Sequence, residues 1–245
     1  MLRKPLIERR VGASSQFRWR GEEVSRIEGL SDAVFAFSIT LIVISLEVPK
    51  TFDDLLSTMN GAAGFAISFF LLMGLWYSHY LFFRRYGLKD SFTIILNNFL
   101  LFVVLLYVFP LKFLATLLID EIIGVPTESL IRTEQIPSLM IIYGIGFIAV
   151  YVIFSLMYYN AYRQRERLEL NESEQLDTLS TLLSHVSFAI TGFVSVVIAV
   201  IGGLAWSSLA GFAYPIMILI LRTAVGFWIG NRRRRLRHSL EAKTN

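Results

Sequence analysis

Apolar runs long enough to cross a bilayer alternate along this chain with short polar segments that hold most of its charge. Read with a window of about 19 residues, the pattern predicts six helices over roughly 29–48, 61–83, 92–118, 137–160, 179–203 and 208–230. Only Gly202, Gly203 and the Trp206, Ser207, Ser208 stretch separate the last two, which reads as a tight turn. The fold class is therefore an all-α integral membrane protein. No repeat of one half in the other is visible, so the chain reads as a single bundle. Its organisation is a basic amino-terminal segment over 1–25, a transmembrane domain over 26–230 and a basic tail over 231–245.

Composition agrees with the pattern and narrows the chemistry. Of 245 residues, 55% are hydrophobic and 17% charged, with a mean hydropathy of +0.59, far from soluble domains. Cysteine is absent, which excludes a disulfide framework, a thiolate metal site and a thiol nucleophile. Residues 1–25 have no apolar core of their own, so the first span is expected to act as its own insertion signal.

Charge sets an expected orientation. With the amino terminus in the cytoplasm, the inner segments hold Arg3, Lys4, Arg9, Arg10, Arg18, Arg20 and Arg26, then Arg84, Arg85 and Lys89, then Arg163, Arg165 and Arg167, and finally the tail arginines. The outer segments hold only Lys50, Lys112 and Arg132. This asymmetry places both termini inside. Asp53, Asp54, Asp120, Glu121, Glu128 and Glu134 fall outside; they read as solvated loop residues, or else as an acidic vestibule that concentrates cations.

Polar residues inside the spans collect at one depth. Asp32 lies about a turn inside the first helix, and Trp76, His79, Asn97, Asn98, His185 and, slightly deeper, Arg222 reach the same level on other helices. Intramembrane polar groups persist mainly where they meet one another. Glu28 and Asp32 share a helix face as like charges and so ask for a partner elsewhere, with His79, Arg222 and the Trp76 indole as candidates. Such a layer locks packing, or handles ions or protons.

The stretch Arg26, Leu30, Ser31, Asp32 followed by AVFAFSITLIVISLEVP resembles the signature that opens the first helix of the lysosomal leak potassium channels, the transmembrane protein 175 family, and their prokaryotic relatives. Trp76 and His79 before LFFRRYGLKD, then Asn98 and Pro110, extend the likeness to about Leu114. Leu30 stands where the signature has phenylalanine. The resemblance implies six-helix subunits assembled as a homotetramer, four first helices lining a central pore, and no re-entrant pore loop. It implies a signature polar network of Arg26, Ser31, Asp32, Trp76, His79 and Asn98, and the cell membrane of a prokaryote as the location.

No threonine, valine, glycine, tyrosine, glycine run occurs. The nearest approach, Tyr143, Gly144, Ile145, Gly146, lies in continuous apolar helix and reads as close helix packing by small residues. On the first helix, Ala33, Phe37, Thr40, Ile44 and Val48 form one stripe and Ser31, Ser38 and Ser45 another. Spacing alone leaves either free to face a pore. The family correspondence selects Phe37, Thr40 and Ile44 with Leu41 flanking, and leaves the serines to packing. The implied function is a potassium channel with a hydrophobic constriction, potassium pausing at a threonine ring at Thr40. The alternative is a proton-coupled or other secondary transporter using Asp32 and His79, although neither inverted repeats nor broken helices are visible. An enzyme finds no support, since the only histidines are His79, His185 and His238, without metal spacing. No cofactor or nucleic-acid partner is expected. Arg232, Arg233, Arg234 and Arg235 suit a positive-inside stop, or a site for anionic lipid.

Overall fold

A computed structural model describes residues 17–44 apart from Glu22, then 48–123 and 131–244. Among them the protein is helical throughout. The helices are α1 (Arg26–Ile44), α2 (Phe52–Asn60), α3 (Ala62–Tyr86), α4 (Ser91–Ile123), α5 (Ile136–Arg163) and α6 (Glu172–Thr244). Among the described residues, five helical stretches are long and apolar enough to span a membrane: Arg26–Ile44, Ala62–Tyr86, Ser91–Ile119, Thr133–Arg163 and Glu172–Gly203. Together they make a multi-pass membrane protein.

Helix starts are written locally in the sequence. Ser25 accepts the Glu28 N–H at 3.3 Å and donates its own N–H to the Glu28 carboxylate at 3.0 Å, a reciprocal capping box. Thr51 with Asp54 repeats the device at α2, and Asn171 with Glu174 repeats it at α6. Asp90 caps α4 by accepting the Thr93 N–H at 3.1 Å. At the other end of α3, Gly87 turns left-handed at φ 59 and donates its N–H to the Phe83 carbonyl at 2.8 Å, a position that favours glycine.

The predicted fifth and sixth spans are two helical stretches of α6 that meet at Gly203, where φ 52 and ψ −140 leave the helical region. Before the break, Val196 packs on Gly144 of α5. After it, Tyr214 comes back to α5, its ring edge-on to Phe147 at 4.9 Å. Contact with the same helix from both sides of Gly203 means the chain folds back there. Most side chains between residues 204 and 216, which include the start of the predicted 208–230 span, lie outside the described residues, as do Ser45, Glu128 and the side chains of Arg233 and Arg235.

The apolar core has two parts. Phe35 and Ile42 of α1 meet Leu72 of α3 and Leu101, Val104 and Val108 of α4. Nearer the end that carries Arg84 and Arg85, Phe82, Phe83 and Tyr86 of α3 pack with Phe154, Met157 and Tyr158 of α5 and with Phe17, ahead of α1. The Gly144, Ile145, Gly146 stretch packs closely in two directions. A Cβ on Gly146 would lie 2.2 Å from the Tyr107 ring of α4, and one on Gly144 would lie 2.2 Å from Val196 of α6. Around Pro110, Tyr143 donates to the Pro110 carbonyl at 2.6 Å and Tyr107 to the Ile142 carbonyl at 3.1 Å, tying α4 to α5 at the proline.

Candidate channel helix and its polar support

Because α1 packs against both α3 and α4, its two sequence stripes have different surroundings. Ser31, Phe35, Ser38 and Ile42 are buried, and each serine hydroxyl donates at 2.8 Å to a carbonyl of its own helix, Ile27 or Val34. The opposite face is open. Phe37 is 55% and Ile44 70% exposed, Thr40 is exposed between them, and Leu41 is half-buried at the margin. The Thr40 hydroxyl donates to the Ala36 carbonyl at 3.0 Å. Its hydrogen is thereby engaged, and its oxygen keeps acceptor capacity toward the open side.

Two polar links hold α1 to its neighbours. The Trp76 indole N–H of α3 donates to Asp32 Oδ1 at 2.8 Å. Asn97 of α4 donates through Nδ2 to Ser31 Oγ at 3.0 Å and receives His79 Nε2–H of α3 on Oδ1 at 2.8 Å. One asparagine side chain thus joins three helices, with Ser31, His79 and Asn97 all buried. Phe35 and Phe83 flank the His79 ring at 5.8 and 4.7 Å.

The structure redistributes the expected network. Asn97 is its asparagine; Asn98, one residue on and about 100° around the helix, is exposed. Arg26 is also exposed, at the start of α1. Glu28 is buried, with its carboxylate on Ser25 of its own cap. Arg222 lies on an exposed face of α6. His185 sits apart, buried among the rings of Tyr151, Phe154, Tyr158 and Phe188. A second polar cluster lies at the ends of the spans, where Asn160 in the last turn of α5 and Gln164 just beyond it donate to Asp90 at 3.2 to 3.3 Å. Partial burial pushes the Asp90 pKa up, but the bonds from Thr93, Gln164 and Asn160 outweigh it and hold the group below its usual 3.8.

Sequence comparison places this architecture. The profile of the endosomal/lysosomal potassium channel TMEM175 matches residues 26–107, which include all of α1 and α3 and the first half of α4. A potassium channel of Marivirga tractuosa is 41% identical over 234 residues, 89% of this chain and 95% of that protein. A potassium channel of Chamaesiphon minutus is 33% identical over 105 residues, 40% of this chain and 52% of that protein. The crystal structure of a variant of the potassium channel MtTMEM175, bound to a nanobody–MBP fusion protein, superposes with a TM-score of 0.79 at 39% identity, covering 87% of this chain and 99% of that one. The chain belongs to the TMEM175 family of potassium channels.

Proposed function

We propose that this chain is one subunit of a potassium channel whose ion path runs along the open face of α1. The observation that carries this reading is the division of α1. Its serines turn inward to the subunit, while Phe37, Thr40 and Ile44 turn away from it with the Thr40 oxygen able to accept a cation. A single α1 encloses nothing, so the path is formed by several copies, and a homotetramer brings four such faces together. Phe37 and Ile44 then narrow the path and expel water when they approach, closing it by dewetting. The Thr40 hydroxyls form a ring of oxygens between them. Potassium surrenders its hydration shell more readily than sodium, so a ring that replaces only part of that shell favours potassium. Asp32 with Trp76, and Ser31 with Asn97 and His79, fix the rotation of α1 so that this face stays toward the axis.

In this arrangement residues 26–230 form the channel domain. The helix beyond Gly203 supplies the sixth span, both termini lie in the cytoplasm of a prokaryotic cell, and Arg232 and Arg234 are available to anionic lipid. The test is ion flux from proteoliposomes holding the purified protein, driven first by a potassium gradient and then by a sodium gradient. Rapid potassium flux with much slower sodium flux is expected, and Thr40→Ala should narrow the difference. Slow, saturable flux tied to a second solute would overturn the channel reading, and unchanged discrimination in Thr40→Ala would remove Thr40 from it.

A further inference from the structure

Residues 17–21 lie ahead of α1 and outside the predicted spans, yet they are among the most heavily bonded parts of the chain. All five N–H donors of the Arg20 guanidinium are engaged. Nε meets the Leu168 carbonyl at 2.6 Å, one terminal nitrogen meets Glu174 Oε1 at 3.1 Å and the Arg18 carbonyl at 2.9 Å, and the other meets Glu174 Oε2 at 2.7 Å and the Glu169 carbonyl at 3.1 Å. The pair with Glu174 is two-pronged and buried, with side-chain exposures of 9% and 2%. Glu174 also accepts the Arg18 N–H at 2.8 Å and the Asn171 N–H at 3.0 Å. On the other side of the segment, the N–H groups of Arg20 and Gly21 both donate to the Arg84 carbonyl at the end of α3, at 3.1 Å, and Arg84 returns a bond to the Gly21 carbonyl at 3.0 Å. Phe17 anchors the far end, its buried ring edge-on to Tyr86 at 5.6 Å and beneath the Arg85 guanidinium at 5.0 Å. A Cβ on Gly21 would sit 2.5 Å from the Phe83 carbonyl oxygen and one on Gly87 would sit 2.9 Å from the Arg20 carbonyl oxygen, so the segment is pressed onto the end of α3.

Four residues separate Gly21 from Arg26 at the start of α1, a reach of at most about 18 Å when fully extended. The principal packing partners of α1 are α3 and α4, whereas Glu174 opens α6 and Leu168 and Glu169 lie in the turn between α5 and α6. Hence the segment is a short mechanical connection from the start of α6 to the start of α1.

We propose that residues 17–21 are a tether that sets the position of α1 and thereby the open-to-closed balance of the channel, with Arg20 and Glu174 as its positioning residues. The proposal rests on the reading of α1 as the pore helix. Neither residue is near Phe37, Thr40 or Ile44 along the chain, so the tether acts on how often the path opens and leaves which ion passes unchanged.

The test is single-channel recording of the full-length protein in planar bilayers, comparing Arg20→Gln, Glu174→Gln and the double variant with wild type. Each single variant is expected to shift the open-to-closed ratio in the same direction by about 5- to 150-fold, the range of an ordinary coupling between sites. The double variant should shift it by less than the sum of the two single effects, because the two-pronged pair is lost in both. The potassium-to-sodium permeability ratio should stay at the wild-type value. A change of less than about twofold in the open-to-closed ratio, effects that add in the double variant, or a changed permeability ratio in its place would overturn the proposal. If the Gln variants do not reconstitute, Arg20→Lys keeps the charge but loses the fork. It should give a smaller shift in the same ratio, and its absence would be equally decisive. Thr40→Ala, recorded alongside, tests the pore assignment through the permeability ratio, so failure of that reading is visible separately from failure of the tether.

Discussion

Asn97 and Asn98 are chemically identical neighbours with opposite surroundings, and replacing each by leucine measures the polar link between the helices. Asn97→Leu keeps the branching at Cγ, with bulkier methyl groups, but removes the amide that Ser31 and His79 both bond. Ser31 loses little, since its hydroxyl hydrogen already goes to the Ile27 carbonyl at 2.8 Å. The histidine is the costly loss. His79 Nε2–H has its bond to Asn97 Oδ1 at 2.8 Å and is buried, 1% exposed. A buried donor left without a partner costs about 1–3 kcal/mol, while hydrogen bonds within membranes average about 0.6 kcal/mol and reach about 1.7 kcal/mol. The expected destabilisation is therefore about 1–2 kcal/mol. His79→Phe in the Asn97→Leu background should recover part of it, because no donor then remains to be satisfied. Asn98→Leu should change stability by less than about 0.5 kcal/mol. The assay is reversible unfolding in mixed detergent micelles followed by far-ultraviolet circular dichroism. Equal losses from Asn97→Leu and Asn98→Leu would refute the assignment of Asn97 as the link.

Other substitutions probe the packing and the loop cluster. Gly146→Ala places a methyl group against the Tyr107 ring and should cost about 1–3 kcal/mol in the same assay. Gly74→Ala has open space around its Cβ and should be neutral or gain up to about 1 kcal/mol from helix propensity. The depressed pKa of Asp90 stabilises the fold at neutral pH, and this contribution is lost as pH falls below the ordinary 3.8 and through the folded value. Asp90→Asn should therefore lower the melting temperature at pH 7, with the difference from wild type shrinking as the medium is acidified below that range. On the proposed pore reading, substituting Phe37 or Ile44 by asparagine should wet the path and raise conductance in the closed condition, as read by flux at rest.

The spans were legible because lipid demands long apolar runs whatever the tertiary arrangement, and α1, α3, α4 and α5 lie within a few residues of their expected limits. The meeting of Asp32 with Trp76 was legible for a related reason, since a carboxylate at that depth requires a donor and few were available. The choice of Asn97 over Asn98 was not. Apolar side chains occur around α4, so no stripe tells which of two adjacent positions faces inward. Glu28 was read as needing a partner on another helix, whereas the Ser25-to-Glu28 spacing satisfies it locally. The short helix α2 leaves no mark on the apolar pattern, because its nine residues are diluted in a window sized for membrane spans. Residues 17–21 carry no periodic signal at all; their bonds run to positions 63 and 148 residues away, and charge count alone reads them as part of the basic amino-terminal segment.

Because the chain contains no cysteine, single cysteines along α1 report directly which face meets the ion path. The measurement is inhibition of potassium current by a charged thiol reagent at Phe37→Cys, Thr40→Cys and Ile44→Cys, set against Ser31→Cys and Ser38→Cys. Block at the first three with none at the two serine positions is the predicted result. Block at the serine positions, or free current with every α1 cysteine modified, would contradict the account.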